Sequence, residues 1–323
     1  MVRTFSEKDI EYSVAIRTLG TARDKYQCLL ESLISQTIPP KRILVYIAEG
    51  YNIPEETVGI EQYVYVKKGM VSQRALQYKE IETEYILFLD DDLYLPNNAV
   101  EEMFKRLIGY QADVIAPDIF AHNKRSLLGQ VFMGVSGRML PRKYDGYWGY
   151  KVMRNSGFSY IVDASHDVLF SQTNAGACFL CKKDKFLGIQ FEEELWLDQL
   201  TYAQGDDQVM FYKMYLKGYK ILTWYNHGIK HLDAGMNYSK EKEQQLIYSD
   251  IYFKIIFWYK FIFQVETSII LSIWDVLCVL YTMIFLLCSS LLRLDFTVLK
   301  IKLRAINNAG AFIKSKQYIK YAK

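Results

Sequence analysis

The chain has 323 residues, 51% of them hydrophobic and 23% charged, with a formal net charge of +3. This length can bury a full core and carry one large domain with an appendage. Residues 293–323 hold eight Lys or Arg against one acid, so this tail contributes +7 and the preceding residues −4. The tail alone is strongly basic, which favours a membrane surface over nucleic acid as its acidic partner.

The amino-terminal residues 1–18 contain no apolar run of signal-peptide length, so we expect the chain to begin in the cytoplasm. Five cysteines, scattered and odd in number, fit a reducing compartment. Cys178 and Cys181 form a C-x-x-C inside the apolar run GACFLC, with no second pair. Buried thiols are therefore expected there in preference to a zinc or redox site.

Short apolar runs alternate with helical patterns through the first third of the chain. Strands are predicted at YSVAIRT (12–18), RILVYIA (42–48), YVYVKK (63–68) and YILFL (85–89), and helices within 21–40 and around SQRALQYKEIE (72–82). This alternation predicts an α/β fold with a parallel, doubly wound sheet. Ligands of such sheets bind beyond the carboxyl ends of the strands.

Three adjacent carboxylates, Asp90, Asp91 and Asp92, follow the strand YILFL directly. Because side chains alternate along an extended segment, Asp90 and Asp92 are expected on one side and Asp91 on the other. Mg²⁺ and Mn²⁺ prefer oxygen ligands and bind to one or two carboxylates together with substrate phosphates. The triplet thus predicts a metal site, with a solvated acidic turn before the next helix as the alternative.

Residues 118–173 are rich in Gly, Tyr and basic residues, which predicts a long irregular excursion from the sheet. A strand within NAGACFLCKKDKFL (174–187) follows. Asp206 and Asp207 then precede a helical pattern, where the helix dipole favours their charge, although capping requires only one of them. His231 lies shortly after a further predicted strand, as a possible ligand or a structural histidine.

Together these segments resemble a family 2 glycosyltransferase of the GT-A fold and bacterial cell-surface polysaccharide type, from about Tyr12 to Gly235. SVAIRT corresponds to the first strand of the family's nucleotide site, and SLISQTIPPKRILVYIAEG to its next helix and strand. SQRALQYKEIETEYILFLDDDLYLP is similar to its Arg-containing helix and metal-binding Asp-x-Asp motif. GDDQVMFYKMYLKGYKI resembles its acidic helix ending in Gly-Tyr-Lys. The resemblance implies a Rossmann-like, mostly parallel sheet flanked by helices.

The resemblance also implies roles for individual residues. It implies that Asp92, with Asp90 and His231, binds Mn²⁺ or Mg²⁺, and that Asp207, with Asp206 beside it, is the general base. The residues it places at the nucleotide-sugar donor are Arg17, Thr18, Glu49, Arg74, Asp90 and Asp91. The implied activity is an inverting, hexosyltransferase-type transfer from a nucleotide-diphosphate sugar to a hydroxyl of a glycan or lipid-linked acceptor, as in polysaccharide biosynthesis.

Two other functions are compatible with parts of the pattern. A sugar-nucleotide nucleotidylyltransferase would need a Gly-rich phosphate loop with Lys, whereas RTLGTARDK has one Gly. A non-catalytic nucleotide-sugar-binding scaffold at the membrane would retain the donor site but would not need Asp207. The two hypotheses therefore differ from glycosyl transfer in features that can be tested.

The carboxyl-terminal part, residues 241–323, predicts a helical membrane-associating region after a catalytic domain of residues 1–240. The segment 268–292 has one charge, Asp275, and is long enough to span a bilayer. Basic residues flank it on both sides, which favours a peripheral or monotopic attachment at the cytoplasmic face of the plasma membrane. The aromatic segment 247–263 would then lie in the interface; a single span or a core helix of a soluble protein are the alternatives.

Overall fold

The structure is a computed structural model that describes residues 10–119, 126–137, 148–160, 166–200, 204–232 and 239–318. It divides into two compact units. The first is Met1–His122, Asp163–Glu192 and Met210–Met236, and the second is Asn123–Val162, Glu193–Val209 and Asn237–Lys323. Both units are discontinuous in sequence, whereas the predicted boundary near residue 240 divides the chain only once.

Twelve strands lie in the described parts of the chain. They are β1 (Tyr12–Thr18), β2 (Arg42–Ala48), β3 (Glu61–Val66), β4 (Tyr85–Asp90), β5 (Leu93–Tyr94), β6 (Val114–Pro117), β7 (Tyr150–Val152), β8 (Phe158–Tyr160), β9 (Val168–Ser171), β10 (Cys178–Lys182), β11 (Ile221–Trp224) and β12 (Lys230–His231). The predicted first two strands have these same bounds, because six of the seven residues in each are buried.

The first unit is built on one large sheet. In the described residues it has eight strands in the order β3-β2-β1-β4-β10-β6-β11-β9. Only β10 and β9 run antiparallel to their neighbours, so six strands share one direction. The predicted fold class, an α/β fold with a mostly parallel sheet, is confirmed. The carboxyl ends of β1, β2 and β4 consequently meet at one edge.

Helices cover this sheet through two apolar layers. On one face α1 (Asp24–Ile34) and α2 (Ala99–Gly109) contribute to a buried, mainly aliphatic cluster with β1 and β2. The other layer is aromatic, with Phe88 stacked on Phe179 at 4.5 Å between ring centroids and Phe186 beside them. Phe186 comes from α4 (Lys183–Gly188). Cys178 and Cys181 are buried in β10, so the prediction of buried thiols is confirmed.

Residues 72–82, predicted as a helix, form turns instead. The Ala75 N–H bonds to the Val71 carbonyl and closes a single turn, and Tyr78 then takes a left-handed φ of 47°. Tyr78 is buried, with its ring edge-on to Phe88 at 5.3 Å. The helical prediction was wrong because burying this ring against the sheet requires a backbone conformation that ends a helix.

The second unit is mainly helical. Its described elements are α3 (Leu127–Val135), the β7–β8 hairpin, the start of α5 (Asp206–Leu216), α6 (Lys240–Trp258) with a π-helical turn at Tyr259–Phe263, α7 (Ile269–Leu292) and α8 (Phe296–Ile313). The region 118–173, predicted to be irregular, therefore includes a helix and a hairpin. A 3₁₀ segment, Phe191–Gln199, crosses from the first unit into the second.

The aromatic segment 247–263, which the sequence predicts at a lipid interface, packs half of its aromatic rings inside the second unit. Phe253, Phe257 and Phe261 are buried within the second unit, and the Phe253 ring stacks parallel to Trp196 at 6.5 Å. The buried rings of the segment meet other aromatic side chains of the same unit, including Phe312 of α8, whose ring centroid lies 6.1 Å from that of Tyr252. The basic tail likewise begins as a packed helix rather than a free segment.

One described helix, α7, is long and apolar enough to cross a membrane, with a mean hydropathy of 2.3. By itself this is weak evidence, because a core helix of a soluble protein passes the same test. However, only 22% of its most apolar window is buried, which is little for a core helix.

Candidate functional site

The first of the three aspartates is held by two arginines. Asp90 ends β4, opposite Arg17 of the parallel strand β1, and the Arg17 guanidinium binds both of its carboxylate oxygens, with Nη2 3.1 Å from Oδ2. Arg74 Nη2 lies 3.6 Å from Asp90 Oδ1. Burial opposes ionisation of Asp90, but the charges and hydrogen bonds of these cations hold its pKa below its ordinary value. Asp90 is thus ionised and fixed in position.

The middle carboxylate, Asp91, turns to the next residue of β1. It accepts a hydrogen bond from the Thr18 hydroxyl, which itself accepts one from the Gly20 N–H at 2.7 Å. Burial, together with the neighbouring carboxylates, raises the pKa of Asp91 to about 6 against the effect of this hydrogen bond. Thr18 and Asp91 were both predicted at the donor site, and the structure brings them into direct contact.

Asp92 pairs with His231, which is 139 positions later in the sequence. His231 Nε2 lies 3.2 Å from Asp92 Oδ2, and the two-stranded sheet β5–β12 sets their register, with Leu232 N–H bonded to the Asp92 carbonyl at 2.8 Å. The hydrogen bond to Asp92 raises the pKa of His231. A buried carboxylate beside a half-buried imidazole offers two potential ligands for one divalent cation.

A metal ion at this position would have two protein ligands, Asp92 and His231, with the carboxylate of Asp90 nearby. Among the residues described, no group of three or more His, Cys, Asp or Glu side chains is arranged to hold an ion. Asp90 is bound by Arg17 and Arg74, which leaves Asp92 and His231 as the donor pair. Two protein ligands fit Mg²⁺ or Mn²⁺, because these ions commonly bind to one or two protein side chains and complete their shell with phosphate and water.

Arg74 reaches the site from the turn that replaces the predicted helix. Its side chain is 3% exposed, donates from Nη2 to the Gly176 carbonyl at 2.8 Å, and lies over the Phe179 ring. Neighbouring Gln73, which the sequence did not single out, donates to the Thr18 carbonyl at 3.0 Å and ties this turn to the end of β1. The only feature of the sequence that could have indicated this role of Gln73 is its position as a polar residue next to Arg74 in SQRAL.

The predicted donor-site residue Glu49 and the neighbouring histidine His227 lie apart from these contacts. Glu49 follows β2 at the same edge of the sheet, where it is exposed and its backbone N–H bonds to the Val66 carbonyl. His227 is a loop histidine: Nε2 contacts the Asp118 carbonyl at 2.9 Å and Nδ1 accepts from the Ile229 N–H. Burial lowers the pKa of His227, which fits a neutral structural side chain.

Asp206 and Asp207 begin α5 in the second unit, as the helix prediction required. Asp206 is buried with 4% exposure, whereas Asp207 is half-buried and more accessible to a substrate. Gly205, just before them, has a φ of +91°, and a Cβ there would lie 2.2 Å from Phe253 Cζ. The turn just before the two aspartates is therefore packed tightly against Phe253 of α6.

This contact gives a first prediction. Gly205→Ala should lower unfolding stability by about 1–2 kcal/mol through left-handed strain and by about 1–3 kcal/mol more through overpacking on Phe253. Gly218→Ala is the matched control, because Gly218 has a φ of +80° with no atom within 4 Å of an added Cβ. Urea unfolding of both variants measures the difference; equal losses would show that Phe253 does not restrict this turn.

Sequence and structure comparisons give one family match. The model of glycosyl transferase family 2 matches residues 62–162, a segment that includes Arg74 and the three aspartates. The predicted family resemblance is confirmed for this segment, which is under a third of the chain. A search of curated proteins finds no match.

Three solved structures are among those to which this chain is similar. The crystal structure of S. aureus TarS has a TM-score of 0.45 and 14% identity over 77% of this chain and 39% of that one. GalNAc-T7 with UDP, GalNAc and Mn²⁺ has a TM-score of 0.48 and 15% identity over 77% and 50%. The crystal structure of S. aureus TarS 1–349 has a TM-score of 0.46 and 13% identity, and the match covers 85% of this chain and 71% of that one. This chain thus spans half or less of the first two proteins, and such likenesses transfer no activity.

Proposed function

We propose that this chain, whose residues 62–162 match glycosyltransferase family 2, is a glycosyltransferase that inverts the configuration of the transferred sugar. Its donor is a nucleotide-diphosphate sugar, and its acceptor is a hydroxyl of a glycan or lipid-linked saccharide. The observation that carries the proposal is the strand-end cluster, in which Arg17 and Arg74 hold Asp90 while His231 lies on Asp92.

The arginines and the aspartates have different tasks in this proposal. Arg17 and Arg74 neutralise the charge of Asp90 and fix its orientation. The carboxylate of Asp90 is then positioned to contact the ribose of the donor. Thr18 fixes Asp91 in the same way. Asp92 and His231 would hold Mn²⁺ or Mg²⁺, which when bound stabilises the negative charge that develops on the leaving diphosphate.

Asp207 is the proposed general base. Attack by the acceptor hydroxyl on the sugar breaks the bond to the diphosphate, forms the glycosidic bond and releases one proton, which the carboxylate accepts. Buried Asp206 supports the start of α5, where the helix dipole favours its charge. A single displacement of this kind inverts the anomeric centre.

The expected product configuration tests the reaction class. Turnover of a nucleotide-sugar panel with Mn²⁺ or Mg²⁺ should yield, for the active donor, a glycosidic product of opposite anomeric configuration, as read by proton NMR coupling constants. Retention of configuration would contradict the single displacement and the role of Asp207. Formation of a nucleoside triphosphate and a sugar 1-phosphate when pyrophosphate is added to the nucleotide sugar would instead favour nucleotidyl transfer.

We also propose attachment to the cytoplasmic face of the plasma membrane, without a full span. The support is the exposed, apolar α7 together with the basic residues that follow it. This position would bring the enzyme to a lipid-linked or cell-surface precursor while its nucleotide-sugar donor remains soluble.

A further inference from the structure

Helix α7 has the reverse polarity of a water-soluble amphipathic helix. Its outward face repeats large apolar residues at spacings of three, four and seven, all at least 46% exposed: Ile273, Leu277, Leu280, Ile284 and Leu291. Its four buried residues are mostly polar: Asp275, Thr282 and Ser290 are 0%, 9% and 3% exposed, and Val279 is the one apolar residue among them. A helix packed on a soluble core shows the opposite arrangement.

Each inward polar group has a partner within the second unit. Asp275 pairs with Arg154 at 2.6 Å, and Thr282 accepts a hydrogen bond from Asn155 at 2.8 Å. These contacts bind α7 to the β7–β8 hairpin through its polar side. The apolar side is therefore turned outward by specific polar interactions.

A second helix, α3, extends this apolar surface. It carries no charged residue, and five of its nine residues are large, apolar and at least 43% exposed: Leu127, Leu128, Val131, Phe132 and Val135. It lies against α7, with the Phe132 and Phe285 ring centroids 5.3 Å apart and the Tyr281 hydroxyl donating to the Val135 carbonyl at 2.7 Å. Apolar patches of this kind on one unit mark an interaction surface.

Charge and connectivity identify the partner as a lipid surface. Exposed Arg293 follows α7 directly, and Leu294 and Phe296 beside it are 74% and 59% exposed. Basic residues bordering an apolar face complement anionic lipid headgroups. Trp274 and Tyr281, both half exposed on α7, are side chains enriched where acyl chains meet headgroups.

The same contacts oppose a full span by α7. Helix α8 returns along it, and Lys302 Nζ donates to the Leu286 carbonyl at 2.6 Å and to Ser290 Oγ at 2.8 Å. If α7 crossed the bilayer, Lys302 and the Arg154–Asp275 pair would be carried into its hydrocarbon region at considerable cost. A helix that lies in the interface keeps these groups on its protein side.

We infer that α3 and α7 together form one monotopic membrane-binding surface, with the outward faces of both helices inserted into an anionic lipid leaflet. The inference deepens the membrane attachment proposed above and rests on it, but it does not depend on which sugar is transferred. It assigns to α3, within the segment predicted to be irregular, a membrane-binding role.

Vesicle flotation of the full chain tests this surface. Vesicles of phosphatidylcholine, with and without phosphatidylglycerol, are mixed with wild type and with Leu128→Glu/Val131→Glu, whose two sites are 81% and 57% exposed. The α3 variant should bind the anionic vesicles at least about tenfold more weakly. Ile60→Glu is the matched control, because Ile60 is 55% exposed in the first unit, and it should float as wild type does.

The outcomes separate lipid from protein partners. Unchanged flotation of the α3 variant, with its thermal unfolding intact, would overturn the inference. So would a wild-type dimer in light scattering that the α3 variant converts to a monomer without loss of vesicle binding. If Glu impairs folding, Leu128→Ser/Val131→Ser provides the same comparison. Transfer to a soluble acceptor is measured separately, so failure of the proposed reaction leaves the flotation result interpretable.

Discussion

Asp207→Asn is expected to lower kcat about 10²- to 10⁴-fold while leaving donor affinity near that of the wild type. Asn keeps the size and position of the side chain at the start of α5 but cannot accept the acceptor proton. Because Asp207 is half-buried and Asp206 is buried, the base is expected to be the more accessible carboxylate. Single-turnover transfer and donor titration measure the two quantities independently.

Asp184→Asn is the control for this prediction. Asp184 also lies in the first turn of a helix, α4, and it is exposed, so its replacement changes charge at a helix start without touching the proposed chemistry. It should retain wild-type turnover. If Asp207→Asn retained full kcat, the proposal that Asp207 is the general base would be wrong. If the wild type bound the donor without transferring sugar, the scaffold hypothesis would be supported.

Asp92→Asn should abolish the metal-dependent part of donor binding and lower kcat/KM by at least about tenfold. The change removes a charged ligand from the pair with His231 and leaves Arg17, Arg74 and Asp90 in place. Mn²⁺ neutralises diphosphate charge only if the protein holds the ion, so loss of a carboxylate should affect binding and turnover together.

Glu101→Gln is the matched control for Asp92→Asn. Glu101 lies on α2, where it binds Lys105 on the helix surface and accepts a hydrogen bond from Thr37 at 2.7 Å. Its replacement removes one carboxylate of the first unit without affecting the strand-end cluster. Equal Mn²⁺ dependence in wild type and Asp92→Asn would place the ion, if there is one, elsewhere.

The central strands of the sheet could be predicted from sequence because they are almost entirely buried apolar runs. β1, β2 and β4 need only their own apolar residues to be recognised, and the three aspartates follow β4 immediately. The pairing of Asp92 with His231 could be predicted only from the family resemblance. Its contact with His231 depends on β5 pairing with β12, two strands of two residues each, which no local periodicity can indicate.

Failures of prediction came where tertiary packing overrides local pattern. Tyr78 ends the predicted helix because its ring is buried on the sheet. The aromatic run 247–263 is typical of an interface by composition, yet half of its large rings are buried within the second unit. Exposed apolar residues of α3 were hidden in a Gly-rich, irregular-looking segment. Each case depends on a contact between residues far apart in the sequence.

Binding of a nucleoside diphosphate with and without Mn²⁺ tests the central claim most directly. Wild type is unfolded thermally in the presence of UDP, GDP, CDP, ADP or dTDP, with Mn²⁺ or with EDTA. One of them should raise Tm only with Mn²⁺, since a ligand at a hundred times its Kd stabilises the folded state by about 2.7 kcal/mol, and Asp92→Asn should lose the shift. No shift with any nucleotide under either condition would contradict a glycosyltransferase donor site at the end of β4.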